Sequence, residues 1–345
     1  MTDTQLKAQA KAKTSTTGTR TMGQVQALNE ALDIALAADP SVFLLGEDIQ
    51  EPNGGGFGVH KGLGNKYGTT RVRHTPISEQ AIMGAAVGAA ISGMRPVAEI
   101  MLMNFVHVCA DQLINHAAKL RYMSGGRTPV PLAVRTATGT GGGFGAQHSD
   151  MLEAQLVHAA GLKVVVPSNP ADAKGLLLSC IFDDDPCVFV EMSQLYFAGK
   201  GDVPEGDYRV PLGKARIARS GRDVTLLTYG RQVGDCLTVA ETLAADGIDV
   251  EVVDLRTLNP LDTDAVLGSV AKTKRAVVVH EAVRRNGFGA ELAATIQEEL
   301  FGELAGPVLR VTAPDTPVPY AKSLEDAFLP GPVRIEAAVR RLTKS

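Results

Sequence analysis

The sequence lacks three features that would each place it in a particular class of protein. Its four cysteines show no CxxC pair or other metal-ligand spacing, which argues against iron–sulfur and structural zinc sites and fits reduced cytosolic thiols. A net charge of -4 leaves no basic surplus for nucleic acid or an anionic membrane, so we expect neither partner. No stretch approaches the roughly twenty apolar residues that span a bilayer. The 345 residues are enough for two soluble globular domains.

Phosphate-binding templates are also missing. Glycine-rich runs occur at 54–56 and 139–145, but there is no GxxxxGK[ST], and the second run lacks the third glycine of GxGxxG. This argues against a nicotinamide-dependent dehydrogenase. A loop with five glycines can instead move, or let a ligand approach its backbone, while it presents the imidazole of His148. A lone histidine can equally be structural, so both interpretations of His148 stay open.

Short apolar segments alternate with helical patterns from Thr21 onward. Strands are predicted at 42–45, 96–101, 131–135, 162–166 and 187–191, and in a second set at 224–228, 250–254, 276–280 and 308–311. Helical patterns include 104–122, 171–182, 232–245, 290–300 and 322–341. Continuous apolar strands separated by helices indicate an α/β fold with a parallel sheet covered on both faces.

The alternation divides the chain into two domains. Residues 196–222 are rich in Gly, Pro and charge and predict a linker between a first domain at 21–195 and a second at 223–345. Residues 1–20 have almost no bulky apolar side chains and predict a disordered leader. The leader is basic and poor in acids, so it could be either a flexible bacterial leader or a mitochondrial presequence. The corresponding compartments are the bacterial cytoplasm and the mitochondrial matrix.

One carboxylate stands at the start of a strongly apolar segment. Pro76 favours an extended Thr75 and Ser78 is a good cap, so Glu79 is predicted at the first turn of a helix. Residues 80–93 carry no charge and are rich in Ala and Gly, which predicts a helix packed on every side. A buried carboxyl group at a helix start is a candidate for proton chemistry, and a water-exposed helix cap is the alternative.

Three further positions could carry chemistry. Glu47 follows the first predicted strand, at the end where open α/β sheets bind ligands, although a solvated turn acid has the same pattern. Phe105 follows the next strand and could stack on a planar ring or lie in the core. The acidic run at 183–185 could bind a cation or simply end a helix in solvent.

Several motifs occur together in one order through both predicted domains. They are LLGED at 44–48, TPISE at 75–79, DQLINHAAK at 111–119, YMSGG at 122–126, AQHS at 146–149, GLKVV at 161–165, DAKGL at 172–176, DLRT at 254–257 and TP at 316–317. From Met22 onward the chain thus resembles the beta subunit of the thiamine-diphosphate-dependent decarboxylase component of 2-oxo acid dehydrogenase complexes. The resemblance implies a pyrimidine-binding domain with a parallel sheet and a transketolase-like C-terminal α/β domain.

The resemblance also implies roles for individual residues. Glu79 matches the glutamate that contacts N1′ of the cofactor aminopyrimidine, and Ile77 belongs to the same cofactor-binding segment. Phe105 matches the aromatic residue that stacks on the pyrimidine, and His148 the loop histidine that assists acyl transfer to lipoamide. Glu47 resembles an acid proposed to relay protons between two cofactor sites. A structural potassium site built largely from main-chain oxygens aligns with Leu132, Cys180, Ile181, Asp183 and Asp185.

Half of a cofactor site is missing from the sequence. Enzymes of this type hold the diphosphate through magnesium with a Gly-Asp-Gly motif and a downstream Asn, and the chain has no Gly-Asp-Gly. The resemblance therefore implies an alpha subunit that supplies this half in an α2β2 heterotetramer. It also implies docking of a lipoyl-bearing dihydrolipoamide acyltransferase. The expected reaction is oxidative decarboxylation of a 2-oxo acid with reductive acylation of a lipoyl group.

The motifs leave the substrate open. Residues 103–105, 75–78 and 318–322 are more similar to pyruvate or acetoin enzymes, whereas 178–181, 186–187 and 280–282 are more similar to branched-chain enzymes. We favour pyruvate or acetoin over a branched-chain 2-oxo acid. A noncatalytic assembly subunit with the same fold is a remote alternative.

Overall fold

A computed structural model describes residues 18–344. Most of the predicted leader lies outside these residues. Strand β1 (Thr19–Met22) begins two residues before the predicted domain boundary and pairs antiparallel with β8 (Gly201–Pro204). The first domain is therefore held at its start by a strand from the predicted linker.

The larger sheet carries the first domain. Its strands are β2 (Val42–Glu47), β3 (Val72–Thr75), β4 (Arg95–Leu102), β5 (Ala133–Thr138), β6 (Lys163–Val165), β7 (Cys187–Met192) and β12 (Thr257–Asn259). In space they follow the order β12-β6-β7-β5-β4-β2-β3, and only β12 runs antiparallel to its neighbour. In β2, Phe43 and Leu45 face one core while Val42 and Leu44 face another. The sheet is therefore buried on both faces, as its continuous apolar strands predict.

Helices cover both faces of this sheet. They are α1 (Gln24–Ala38), α2 (Leu63–Tyr67), α3 (Glu79–Ile91), α4 (Ala118–Met123), α5 (Glu153–His158), α6 (Pro170–Ile181) and α7 (Ser193–Tyr196). The single helix predicted at 104–122 is instead a 3-10 helix (Met103–Cys109), a π-helix (Asp111–Ala117) and α4. Among residues 18–344, none of the helices is both long and apolar enough to cross a membrane.

The second domain has a smaller sheet. It contains β9 (Arg216–Arg219), β10 (Val224–Thr228), β11 (Val250–Asp254), β13 (Ala276–Val283) and β14 (Leu309–Ala313), in the order β14-β13-β10-β11-β9. All neighbours are parallel except β9 and β11. The helices are α8 (Gln232–Ala245), α9 (Thr263–Thr273), α10 (Phe288–Leu300), α11 (Lys322–Phe328) and α12 (Pro332–Thr343). The helix predicted at 322–341 is thus two helices, because Pro330 and Gly331 interrupt it.

The two domains share strands and a core. The predicted linker carries β8, which forms a separate two-stranded sheet with β1, and β9, which joins the sheet of the second domain beside β11. Strand β12 lies in the second half of the chain but joins the first sheet beside β6. One hydrophobic core also runs from Phe43 and Leu45 to Leu227 and Val253 of the second domain. The boundary drawn from composition does not mark two separate cores.

Helix α3 differs from its sequence prediction. Ile82, Met83 and Val87 are buried, but Gln80, Ala81, Ala85 and Ile91 are exposed. The expectation that this helix is packed on every side is therefore wrong for the single chain. The helix lacks charge on its outer face as well, although no described element of the chain covers that face. Apart from Gln80, the outer face is apolar.

Candidate active site

Four of the predicted site residues lie at one edge of the larger sheet. Glu47 is the last residue of β2, Glu79 begins α3 just after β3, Phe105 lies in the 3-10 helix after β4, and His148 follows β5. Because these four strands are parallel neighbours, their carboxyl ends meet at the same edge. The strand order changes direction between β2 and β4, which is where open α/β sheets form a ligand crevice.

Glu79 is a buried residue whose carboxylate has no partner in the described part of the chain. The residue is 8% exposed, and among residues 18–344 its side chain makes no hydrogen bond or ion pair. Ser78 does not cap the helix with its side chain, because its Oγ donates to the carbonyl of Pro76 at 3.1 Å. A buried acid normally requires a partner. The Glu79 carboxylate is therefore available to a ligand at the N-terminus of α3.

Glu47 is coupled electrostatically to Glu79. Glu47 is 9% exposed, and burial, followed by repulsion from Glu79, raises its pKa above the ordinary value for glutamate. The charge of Glu79 also adds to burial in raising the pKa of the Cys109 thiol to about 12, which locates Glu79 near the 3-10 helix of Phe105. The shift favours the protonated form of Glu47 over its carboxylate.

Phe105 and His148 are in direct ring contact. Their ring centroids are 5.4 Å apart, and the planes meet at 83°, which is an edge-on arrangement. The end of the His148 loop is fixed to the same 3-10 helix, because Asn104 Nδ2 donates to Asp150 Oδ2 at 2.8 Å and Asp150 N donates to Asn104 Oδ1 at 3.2 Å. Thr138 Oγ1 donates to the carbonyl of Asp150 at 2.6 Å. Both rings are thus held from neighbouring strand ends.

Ile77 lies on the surface beside the site. It is 83% exposed and precedes α3 by two residues. A branched apolar side chain left almost fully in water contributes free energy when a ligand or a partner chain covers it. Its position is compatible with the cofactor-binding segment to which the sequence assigns it, and that role stays a prediction.

A buried charge cluster behind the site is absent from the sequence-based predictions. Arg135 Nη1 donates to Glu99 Oε2 at 2.6 Å, and Nη2 donates to Glu191 Oε2 at 2.8 Å. His60 lies 3.2 Å from the same guanidinium, and burial lowers its pKa well below the usual value, so the imidazole is neutral. The signal in the sequence is a charged residue inside each of three apolar strands. Glu99 also raises the pKa of Glu47, so the cluster contributes to the field at the site.

The predicted potassium ligands surround the end of α6 and the start of β7. These residues are Leu132, Cys180, Ile181, Asp183 and Asp185. Arg95 Nη1 donates to the carbonyls of Asp183 at 2.9 Å and Ile181 at 3.4 Å. Lys163 Nζ donates to both carboxylate oxygens of Asp183 at 2.7 Å. In the part of the chain described, no group of three or more His, Cys, Asp or Glu could hold a metal. Because the expected ligands are main-chain oxygens, potassium stays a prediction.

Two family models match the chain. The transketolase pyrimidine binding domain matches residues 21–198, and the transketolase C-terminal domain matches residues 213–335. Among solved structures, "Split gene transketolase, inactive beta4 tetramer" superposes with a TM-score of 0.77, covering 94% of this chain and 98% of that chain. Its sequence identity is 21%, so this likeness shows the fold alone.

Curated relatives are similar over nearly the whole chain. The beta subunit of acetoin:2,6-dichlorophenolindophenol oxidoreductase of Cupriavidus necator is 47% identical, over 92% of this chain and 96% of its own. The beta subunit of 2-oxoisovalerate dehydrogenase of Pseudomonas aeruginosa is 47% identical, over 93% and 95%. The beta subunit of the pyruvate dehydrogenase E1 component of Staphylococcus epidermidis is 44% identical, over 90% and 94%.

These matches confirm the family that the motifs indicate, together with its two-domain α/β fold. The chain belongs to the family of beta subunits of thiamine-diphosphate-dependent 2-oxo acid dehydrogenases, which are oxidoreductases with transketolase-like domains.

Proposed function

We propose that this chain forms half of an active site that uses thiamine diphosphate to decarboxylate a 2-oxo acid, or to cleave acetoin, and passes the acyl group to a lipoyl group. One observation carries the proposal. Glu79 is buried, its carboxylate has no partner among residues 18–344, and it lies at the same sheet edge as the ring pair of Phe105 and His148. A carboxylate, an aromatic ring and an imidazole in this arrangement suit a planar nitrogen heterocycle.

The described residues fit the aminopyrimidine half of the cofactor. Bound thiamine diphosphate supplies the carbon nucleophile of the reaction. Glu79 would hold a proton at N1′ of the aminopyrimidine, and Phe105 would pack against its ring. Glu47 would exchange a proton beside Glu79, because burial raises the pKa of its carboxyl group. His148 would move a proton near the reacting centre as the acyl group passes to the lipoyl sulfur.

We also propose that an alpha subunit completes the site in an α2β2 heterotetramer. The sequence has no Gly-Asp-Gly motif to hold the magnesium diphosphate. Helix α3 presents Ala81, Ala85 and Ile91 to solvent without any charged side chain, which is the composition of a face that a partner chain covers. The second domain is proposed to assist the docking of a lipoyl-bearing dihydrolipoamide acyltransferase. The proposed compartment is the bacterial cytoplasm, with the mitochondrial matrix as the alternative.

For the substrate we propose pyruvate or acetoin, ahead of a branched-chain 2-oxo acid. The relatives do not separate these choices, because the acetoin and 2-oxoisovalerate enzymes are equally identical to the chain. The preference depends on the segments at 75–78, 103–105 and 318–322. The first two of these lie beside Glu79 and around Phe105.

Potassium at the end of α6 is proposed as a structural ion only. It would have to share the carbonyl oxygen of Asp183 with Arg95 and compete with the ammonium group of Lys163. A higher unfolding temperature in KCl than in NaCl of the same ionic strength would support the site, since a ligand that binds only the folded state stabilises it.

Reconstitution tests the proposed function. The chain is co-expressed with an alpha subunit that carries Gly-Asp-Gly, and turnover of pyruvate, acetoin and 3-methyl-2-oxobutanoate is measured with thiamine diphosphate and 2,6-dichlorophenolindophenol as electron acceptor. We expect activity from the pair and none from either chain alone. Glu79→Gln should lower the rate by about 10²-fold or more, because it removes the acid–base group.

The control and the alternative are distinguished in the same assay. Glu298→Gln changes an exposed acid of α10 and should leave the rate unchanged. Full turnover by Glu79→Gln in an intact tetramer would support the noncatalytic assembly subunit instead. Turnover by the isolated chain would contradict a site shared between two subunits.

A further inference from the structure

The second domain binds the backbone of the glycine-rich loop that leads to His148. Glu325 of α11 accepts hydrogen bonds through one carboxylate oxygen from the amides of Gly141 at 2.8 Å and Gly143 at 3.0 Å. Glu281 of β13 accepts a hydrogen bond from the amide of Thr140. Three hydrogen bonds from backbone amides therefore join the loop to two acids that lie more than 130 residues further along the chain.

Both acids are buried in this contact. Glu325 is 1% exposed, and Glu281 is also buried, which raises the pKa of Glu281 while the Thr140 amide lowers it. Gln232 contributes a longer hydrogen bond to Glu281 at 3.4 Å. Hydrogen bonds from backbone amides to a carboxylate are stronger than those between neutral groups. Removal of the carboxylate would leave the loop amides without a hydrogen-bond acceptor, which costs free energy. The two acids therefore favour this one conformation of the loop.

The glycines of the loop allow this close approach. Gly145 has φ +71°, and a Cβ there would lie 2.2 Å from the ring of Tyr320, in the segment before α11. Gly141 has φ +111°, and a Cβ would lie 3.0 Å from the amide group of Gln194. Any side chain at these positions would collide with a neighbour in a backbone conformation that favours glycine. The loop is therefore packed closely against the second domain at Gly145 and against α7 of the first domain at Gly141.

The same loop is attached to the first domain at its other end. His148 lies three residues beyond Gly145, to whose carbonyl its own amide donates at 3.3 Å. Two residues later, Asp150 exchanges hydrogen bonds with Asn104, next to Phe105. The imidazole thus lies between two attachments, one on each domain.

We propose that Glu325, assisted by Glu281, is a positioning residue for His148, so that the second domain sets the geometry of the acyl-transfer step. The inference rests on the proposed function, in which His148 acts after decarboxylation. Loss of the contact would displace the imidazole from Phe105 while Glu79 and Phe105 keep their places. Acyl transfer would then fail selectively.

Rate measurements on the reconstituted α/β enzyme test this separation. Decarboxylation is followed with 2,6-dichlorophenolindophenol, and acyl transfer is followed with a free lipoyl domain as acceptor. Glu325→Ala should lower kcat for acyl transfer about tenfold, while the dye-coupled rate stays within about twofold, because small misplacement of one catalytic group impairs only the step that uses it. Glu325→Gln should restore most of the rate, since its amide oxygen can accept the same two hydrogen bonds.

Two controls separate positioning from general damage. Asp326→Ala alters the neighbouring residue of α11, whose exposed carboxylate pairs with Lys322, and should change neither rate. In a double variant with His148→Ala, the Glu325→Ala substitution should produce no further loss, because both act on one group.

Further measurements cover variants that do not assemble. If Glu325→Ala does not assemble, Tyr320→Ala can be used instead. It removes an exposed ring that packs against Gly145 of the loop, and it should lower acyl transfer in the same selective way. Equal loss of both rates, or unchanged acyl transfer in the assembled variants, overturns the inference. Absence of dye-coupled activity in the unmodified enzyme would instead refute the proposed function.

Discussion

At the scale of single residues, the buried acids fall into two groups. Glu99 and Glu191 are paired with Arg135 by short hydrogen bonds. Within the described residues, Glu79 and Glu47 have no such partner and repel each other. For a paired buried acid, the partner offsets the free-energy cost of desolvation. An unpaired buried acid destabilises the fold, so a functional role is the better explanation for its presence. The unpaired acids are therefore the ones we assign to chemistry.

We expect Glu47→Gln to stabilise the protein while it impairs turnover. The folded-state pKa of Glu47 is raised, so its contribution to stability is complete below the ordinary glutamate pKa of 4.5 and is lost as the pH rises through the folded value. Above that range the variant avoids a buried charge that faces Glu79. Thermal unfolding at neutral pH should shift upward by about 2 °C.

The gain should disappear in acid. Below about pH 4.5 both proteins carry a neutral group at position 47, so their unfolding temperatures should converge. Asp264→Gln, at an exposed position of α9, is a control that should show no such dependence. A destabilised Glu47→Gln at neutral pH would show that the carboxylate has a favourable partner.

Sequence position was enough to locate some residues of the site and not others. Glu47 lies at the end of one predicted strand and Phe105 just after another, and the carboxyl ends of neighbouring parallel strands must meet at one edge. The sequence does not predict strand β3, so Glu79 is identified instead from its place at the start of an uncharged helix. Glu325 could not be found in this way, since its hydrogen-bond donor Gly141 is 184 residues distant in sequence. An acid in a short helix near the chain end has the pattern of a solvated surface residue until the tertiary structure is known.

At the scale of elements, α3 is the segment whose composition and environment disagree most. Its inner face is packed in the core, and its outer face is apolar and exposed. A single sequence shows that such a helix avoids water, but it does not show whether its own chain or another one covers it.

A charge on this outer face should prevent assembly without harming the fold. Ala85 is exposed, so Ala85→Glu should leave the unfolding temperature of the purified chain nearly unchanged. In a tetramer the new carboxylate would be buried without a partner, which is strongly unfavourable. Size-exclusion chromatography of the co-expressed subunits should show loss of the α2β2 species. Ala244→Glu, on the exposed face of α8, is the matched control and should assemble normally. An intact tetramer with Ala85→Glu would place the partner elsewhere.

Long periodic elements were predictable, and short or irregular ones were not. Helix α8 and strands β10 and β11 have the predicted bounds, since each has a continuous apolar pattern. Strand β12 has three residues and pairs with a segment nearly a hundred residues away, so only tertiary contacts define it. The 3-10 and π-helices at 103–117 have apolar spacings close to those of an α-helix, and hydrogen-bond register alone separates them.

At the scale of the whole molecule, a buried hydrogen bond connects the domains. Tyr229 of the second domain donates to Glu153 Oε1 of α5 at 2.7 Å. Burial raises the pKa of Glu153 to about 7, with a small further increase from Glu281, although the Tyr229 hydrogen bond opposes it. The interface therefore contains a carboxyl group that titrates near neutrality.

Stability should fall as the pH rises through this value. Above pH 4.5 the unfolded chain has released the Glu153 proton, and folding takes it up again. The contribution of Glu153 to the free energy of unfolding is therefore complete below pH 4.5 and is lost as the pH rises through about 7. The loss is on the order of 3 kcal/mol at alkaline pH. Glu153→Gln should remove most of the decline in unfolding temperature from about pH 6 to about pH 8. Glu298→Gln should retain it, and an unchanged decline in Glu153→Gln would refute the assignment.

The placement of β12 restricts how the protein can be divided. A fragment that stops after the first domain would lose the strand beside β6 and leave its backbone amides and carbonyls unpaired. Such an edge recruits other chains, so the shortened polypeptide should self-associate. A fragment that contains the first domain therefore has to retain the chain through Asn259. Because one hydrophobic core spans both domains, we expect the chain to unfold as a single cooperative unit.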